Sequence, residues 1–409
     1  MNRQQGARTT TPMLEFTAAA EFRFNQHNAS AAAAQTGQAG DRFYTTSQQF
    51  VDQALSPNPR QFRITKPSAS LKCLPLTGWP DAKVTGRRVL FLLPSQALGN
   101  NVATLLFLQA FAEQRRPRAV GVFCARSAAD IYLTSDLARV YTIWIARREL
   151  KKWDMVIDLG QLESRRNIDL WPVDMEAELN QAFGLVPTET YPSGGRQITG
   201  GAVPTIGIMP LASSPLRTLP VETTRSLVER LSSQGSVVVC LNRFQRQGQV
   251  YRRALEGGLP DRVRLIDAFD SIGDLLDQIR ALDYGVFADS GPAHMAKLFG
   301  TPGVAVYSSA PGDVLQGRFT NLANWTVPYR GDFCESPCGL AKLRRTVDGR
   351  VGCMGSLQVT LDDLPDIPTA RDASVVEKLA ADPVPCIAEL ARRADDLTEF
   401  VAADFQARL

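Results

Sequence analysis

A sustained hydrophobic pattern begins at Arg87 and then repeats in one style. Val89 to Leu93 is an unbroken apolar run ended by Pro94, which predicts a strand buried on both faces. A polar, glycine-containing stretch, Ser95 to Asn101, predicts a loop. Val102, Leu105, Leu106, Leu108 and Phe111 then recur at helical spacing. Further strands are predicted over Ala119–Cys124 and Asp154–Asp158. After Tyr191–Gly201 (YPSGGRQITGG), which reads as a linker, the alternation restarts. Strands are predicted over Thr205–Met209, Ser236–Cys240, Val263–Ile266, Tyr284–Ala288 and Val304–Tyr307, with a helix over Val221–Ser233 carrying Val221, Leu227, Val228 and Leu231. Strands alternating with helices imply parallel sheets covered by helices. The expected class is therefore α/β, with two doubly wound Rossmann-like lobes and ligands bound at the carboxyl ends of the strands, in the cleft between them.

The flanks differ. Residues 1–40 are rich in Gln, Thr, Asn and Ala, with Ala31 to Ala34 as a low-complexity run, and read as a tail. From Phe43 to Thr85 short apolar patches are broken by Pro57, Pro59, Pro67, Pro75 and Pro80, which suits an arm or a small appended unit. Residues 370–409 are helical in character. The expected division is an N-terminal extension, partly disordered, over 1–86; a first lobe over 87–200; a second over 201–368; and C-terminal helices over 369–409 that pack back on the first lobe.

Composition narrows the function. Of 409 residues, 44% are hydrophobic and 21% charged, ordinary for a globular protein. A net charge of +3 from 45 basic and 42 acidic residues gives no case for nucleic acid as the main partner. No apolar run is long enough to span a bilayer and the start lacks a signal-peptide pattern, so a cytoplasmic location is expected, with the seven cysteines mostly reduced. There are two histidines, and His27 lies in the polar tail. His294 is thus the one candidate for imidazole chemistry, which argues against a Ser–His–Asp hydrolase or a multi-histidine metal centre.

The densest chemical signal is Tyr284–Tyr307, YGVFADSGPAHMAKLFGTPGVAVY. A buried strand ends at Asp289, Ser290 and Gly291 form a tight turn, and a helix starts near Pro292, where proline's missing N–H costs nothing. The free N–H groups and dipole of a helix start favour phosphate. His294 falls in the first turn, and Asp289 can accept hydrogen bonds from sugar hydroxyls. On local grounds alone this is equally a well-capped strand–helix junction.

The order D-S-G-P-x-H-x-A followed by L-F-G-T-P-G-V-A-V-Y resembles the signature of glycosyltransferase family 9, the ADP-heptose:lipopolysaccharide heptosyltransferases and their relatives. Val89–Leu108 resembles the family's first strand, loop and helix. Trp153–Gly160 resembles its Y-D-x-V-I-D strand, and Ile206–Pro220 the strand and loop that open the donor lobe. The resemblance covers about residues 87–365 and implies the GT-B fold. It also implies an enzyme that transfers a sugar, heptose from an ADP-heptose-like nucleotide-sugar donor, with inversion. The implied acceptor is a cell-envelope glycan, as in lipopolysaccharide biosynthesis, or a protein hydroxyl. Carried over by position, Ser290 and Gly291 hold the pyrophosphate, and Asp289 and His294 lie beside the phosphates or the sugar. Arg217 takes the slot of the family's phosphate-binding lysine, a role that bidentate arginine can fill. Ser213 and Ser214 match the hydroxyls of that loop. No cofactor is expected for catalysis, and there is no Asp-x-Asp motif. Peripheral contact with the inner membrane and homo-oligomerisation are further expectations.

One departure stands out. Where the family has Gly-Asp, with the aspartate as presumed base, this chain has Gly99-Asn100-Asn101. An amide cannot serve as that base. Three explanations are open: Asp158 acts as the base, unless it only caps its turn; transfer runs through a loose, oxocarbenium-like transition state; or the chain is a catalytically silent binding or assembly protein. Finally, Cys334, Cys338 and Cys353 lie close in sequence and Cys386 offers a fourth thiol, a set that suits structural iron or zinc, or else a loop of reduced thiols. Relatives that heptosylate autotransporter proteins use a comparable cluster to hold iron and assemble. Cys73, Cys124 and Cys240 read as core or arm residues.

Overall fold

The computed structural model describes residues 13–24, 35–69, 73, 81–93, 95–160, 172–198, 203–241, 246–256, 259–260, 262–340, 343–360 and 373–409. His27, Ala31–Ala34, Pro75, Pro80, Pro94 and the end of the expected linker lie outside them. The chain divides into two compact units, the first holding residues 1–167, 175–188 and 270–273, the second 168–174, 189–269 and 274–409.

In the first unit a parallel sheet has the order β10 (Met155–Asp158), β6 (Arg88–Leu93), β7 (Ala119–Cys124), β8 (Ala138–Tyr141). Every residue of β6 after Arg88 is buried, as a two-sided strand requires. Helix α1 (Leu98–Arg115) covers it, with Phe107 and Phe111 packed on Phe91 at ring separations of 5.5 and 5.0 Å. This helix begins earlier than the sequence predicts, so Asn100 and Asn101 sit in its first turn rather than in a loop.

The N-terminal region is the larger surprise. Antiparallel strands β5 (Phe62–Ala69), β1 (Met13–Ala18), β4 (Arg42–Thr45) and β9 (Trp144–Ala146) form a second sheet in the first unit. A further hairpin-like pair joins β2 (Phe22–Phe24) to β3 (Gln35–Gly37). The expectation of an unstructured tail thus fails over residues 13–24 and 35–37. Phe16, Phe22, Phe43, Phe50, Phe62 and Trp144 build one buried aromatic cluster. Each ring burial contributes about 1.5–3 kcal/mol, and its members lie too far apart in sequence for any local period to reveal them. Pairing of β4 with β9, Phe43 opposite Ala146, stitches this sheet into the unit.

The second unit is built on a six-stranded parallel sheet in the order β13 (Val263–Ile266), β12 (Ser236–Cys240), β11 (Thr205–Met209), β14 (Tyr284–Ala288), β15 (Gly303–Tyr307), β16 (Leu322–Thr326). Numbered within the unit this is 3-2-1-4-5-6, the Rossmann order. Strand order reverses between β11 and β14, which makes their carboxyl ends the switch point of the sheet. Helix α2 (Val221–Ser232) presents Leu227, Val228 and Leu231 to the core. Helices α4 (Pro385–Arg392) and α5 (Ala394–Ala407) bury Ile387, Leu390, Leu397, Val401 and Phe405 in the same core. The Tyr284 hydroxyl also donates to Asp404 at 2.8 Å. The C-terminal helices therefore group with the second unit rather than the first, because their apolar face finds that unit's core.

The expected linker also differs. Thr320 N–H donates to Ser193 O, Arg196 N–H to Gly300 O and Arg318 Nη1 to Tyr191 O, each at 2.8 Å. Residues 191–198 thus run bonded along the second unit, their turn-forming composition serving an irregular but satisfied backbone.

Candidate donor site

Two loops meet at the switch point of the second sheet. The loop after β11 ends in a single turn of 3₁₀ helix, Pro215–Arg217, capped by Ser214, whose Oγ accepts the Leu216 N–H at 3.3 Å. Arg217 N–H closes the turn onto Ser214 O. The loop after β14 is Asp289–Ser290, followed by helix α3 (Gly291–Phe299), which Gly300 ends in a left-handed conformation, φ 59°. Parallel pairing of β11 with β14, Met209 opposite Phe287, brings these loops side by side.

Arg217 is the bridge. Its Nη1 lies 3.5 Å from Asp289 Oδ1, and its Nη2 donates to Ser213 Oγ at 2.9 Å. Asp289 is 1% exposed. Burial pushes its carboxyl above the usual range and outweighs the opposing pull of Arg217. Arg217 Nε and Asp289 Oδ2 are buried without hydrogen-bond partners in the described structure, so the pair has polar capacity in reserve. Ser290 is extended, and its Oγ donates back to Ala288 O rather than capping α3. The start of α3, two residues beyond Asp289, therefore carries no side-chain cap.

His294 sits half-buried one turn into α3. Burial, then the cations Lys297 and Arg217, push its pKa well below the ordinary value. It is a neutral imidazole at neutral pH, suited to hydrogen bonding rather than to carrying charge. The structure thus brings together Ser213, Ser214, Arg217, Asp289, Ser290 and Gly291, with His294 on the same helix as Gly291.

The residues expected for acceptor chemistry belong to the first unit and look structural. Asn101 is fully buried. Its Nδ2 donates to Ser95 O at 3.0 Å and Ala97 O at 2.9 Å, while its Oδ1 accepts the Tyr132 hydroxyl at 2.9 Å. It clamps the chain entering α1. Asn100 Nδ2 reaches Ser95 Oγ at 3.3 Å. Asp158 is 0% exposed, and its Oδ1 accepts the Gly160 N–H at 3.0 Å. That geometry favours the turn-capping role over an accessible base.

The cysteines converge. Cys334, Cys338, Cys353 and Cys386 line one small pocket together with Leu216, Ser308, Ser309 and Tyr329. Burial raises the Cys334 thiol to about 11, and burial with its thiol neighbours raises Cys386 further. Four sulfurs around one pocket are the donor set of a closed thiolate site. As they lie, however, no three His, Cys, Asp or Glu side chains among the described residues are arranged to hold a metal. Cys124 and Cys240 are buried at strand ends, with thiols raised to about 12, as core residues should be. Ser308 and Tyr307 escaped sequence reasoning. Ser308 Oγ donates to Leu216 O at 2.5 Å, which holds the turn bearing Arg217, and Tyr307 lies close enough to Asp289 to feel its charge. Nothing local in the sequence marks Ser308, and Tyr307 stands out only as the end of a strand and of the family-like signature.

Two parallel-sheet units, one of them with an arginine-faced strand–Asp–Ser–Gly–helix turn at its switch point, give the α/β class of two Rossmann-like lobes. Residues 150–321, under half of the chain, match the family model of glycosyltransferase family 9 (heptosyltransferase). That stretch contains Arg217, Asp289 and His294 and ends before the four pocket cysteines.

Solved structures similar to the chain include E. coli heptosyltransferase WaaC with ADP-2-deoxy-2-fluoro heptose (15% identity, TM-score 0.44, covering 59% of this chain and 93% of that one). Another is E. coli ADP-heptose lipopolysaccharide heptosyltransferase II (16%, 0.45, 72% and 99%). A third is the iron-containing dodecameric glycosyltransferase TibC of enterotoxigenic E. coli (11%, 0.45, 86% and 85%). No curated protein matches.

Proposed function

We propose that this chain transfers a heptosyl group from an ADP-heptose-like donor, with inversion, to a hydroxyl of a cell-envelope glycan or a protein. The observation that carries the reading is the juxtaposition of Arg217, Asp289 and the uncapped start of α3 at the switch point of a Rossmann sheet. A diphosphate placed there meets a guanidinium and a helix dipole, both of which gain as the glycosidic bond breaks and charge gathers on the leaving oxygen. In this reading that stabilisation takes the place of a divalent metal, and the reaction proceeds through a loose transition state in which the acceptor proton leaves late. Neutral His294 serves as a hydrogen-bond donor to phosphate or sugar. The cysteine pocket is proposed to hold a structural iron or zinc. Because metal displaces thiol protons, its retention should weaken as pH falls, and elemental analysis across pH with Cys386→Ser as control reads this directly.

Calorimetry with ADP, UDP and GDP tests the main reading. Selective ADP binding is expected, weakened about 10- to 100-fold in Arg217→Ala, since a hydrogen bond to a charged group is worth about 1.5–3 kcal/mol. His294→Ala should also weaken it, and the matching nucleotide-sugar should be turned over. Failure of all three nucleotides to bind at millimolar concentration would falsify the reading. A second reading, a nucleotide-sugar binder without transfer, is favoured by the amide at Asn100 and the burial of Asp158; ADP binding without turnover of any nucleotide-sugar would establish it.

A further inference from the structure

Asp289 holds a carboxyl in an almost sealed position, and among the described residues Arg217 is the cation in ion-pair contact with it. That cation, Arg217, is also the group placed to receive a diphosphate. As it stands, guanidinium and carboxylate cancel. A nucleoside diphosphate arriving at the start of α3 adds negative charge to a site already holding a buried carboxylate, and both anions then compete for one guanidinium. Two anions sharing a buried site cannot both stay fully ionised without large cost, and the usual relief is to protonate one of them. We infer that a nucleoside diphosphate enters this site together with a proton, which Asp289 takes from solvent so that its carboxylic acid donates a hydrogen bond to a phosphate oxygen. This deepens the donor-binding reading and rests on it.

The geometry supplies the place for that proton. Asp289 Oδ1 faces Arg217, while Oδ2 is buried with no hydrogen-bond partner in the described structure. The groups around the carboxyl are accounted for element by element. Arg217 comes from the 3₁₀ turn, and Tyr307 from β15, its phenol raised above its usual range by burial and by Asp289. On α3 stand His294 and Lys297, the latter donating to Leu315 O at 2.6 Å. Burial already disfavours the ionised Asp289, so the added anion pushes in a direction the fold has begun. His294 is the rival acceptor, since an anion beside it would raise its pKa as well.

Titration of the full chain with ADP tests this, at a pH above the second ionisation of the terminal phosphate and in two buffers of different ionisation enthalpy. Uptake of about one proton per ADP is expected, with affinity falling up to about tenfold per pH unit where uptake governs binding. Asp289→Asn, whose amide mimics the protonated acid, should abolish the uptake and bind ADP at least as tightly at the upper end of the pH range. His294→Gln should retain the uptake. Wild-type binding with no proton exchanged overturns the inference while leaving the donor site standing; so does uptake that survives in Asp289→Asn or is lost in His294→Gln. Should Asp289→Asn not fold, the wild-type and His294→Gln titrations still decide. Absence of any nucleotide binding removes the donor reading and this inference with it.

Discussion

His294 shows how one side chain records its surroundings. Its pKa in the folded protein lies well below the ordinary value, so the folded state resists protonation while the unfolded state accepts it readily. The stability it contributes is fully present above the ordinary histidine pKa and is lost as pH falls below it toward the depressed folded value. Unfolding free energy should therefore decline on mild acidification by up to about 1.4 kcal/mol per pH unit. In His294→Gln that slope should flatten, which urea titrations at a series of pH values would show. An unchanged slope would assign the acid sensitivity to other groups. Asp289 works in the opposite sense. Its raised folded pKa adds stability at low pH that is lost as pH rises through the folded value, the signature of an ionised group kept against its solvation preference.

At the scale of elements, short segments matter more than their length suggests. The 3₁₀ turn bearing Arg217 is anchored from outside: Ser308, just beyond β15, bonds to Leu216 O, and Ser336 in the cysteine loop bonds to Ser308 O. Gly339 N–H donates to Ser309 O at 2.7 Å. The cysteine pocket and the turn bearing Arg217 therefore share a wall. Ser308→Ala leaves a buried carbonyl unsatisfied, at about 1–3 kcal/mol. It should weaken ADP binding severalfold, while Ser308→Thr restores it. In an Arg217→Ala background the same change should have little added effect on affinity, because a positioning role vanishes with the group positioned. The N-terminal sheet is likewise held by few residues. Phe16 is fully buried and touches Phe22, Phe43, Phe50 and Phe62. Phe16→Ala should cost about 3–5 kcal/mol, visible as a lower urea midpoint at unchanged slope if the sheet unfolds with the first unit, or as a separate early transition if it does not.

For the molecule as a whole, the proposed transfer draws on residues of both units. The donor-side residues lie in the second unit and the amides Asn100 and Asn101 in the first. Restoring a carboxylate by Asn100→Asp should raise turnover by as much as about 100-fold if proton removal limits transfer. Donor affinity should stay unchanged, because the substitution lies outside the unit proposed to bind nucleotide; a steady-state split between kcat and donor KM reads both. No gain would place the acceptor proton on another path.

The sequence by itself determined the two parallel sheets, because strands buried on both faces are written as unbroken apolar runs such as Val89–Leu93, and the turn at Asp289–Gly291, because strand end, glycine and proline are adjacent in the chain. It also named Arg217 and the four pocket cysteines as residues to watch. Only the tertiary structure decided what those residues do. Arg217 and Asp289 are joined by the β11–β14 pairing, a contact made by sheet order and invisible to any local period. The aromatic sheet of the first unit draws Phe16, Phe43, Phe62 and Trp144 from four separate segments, none apolar enough to declare itself. Burial removed Asp158 and Asn101 from the list of accessible groups, since a side chain's exposure is set by what packs over it and not by its place in the chain.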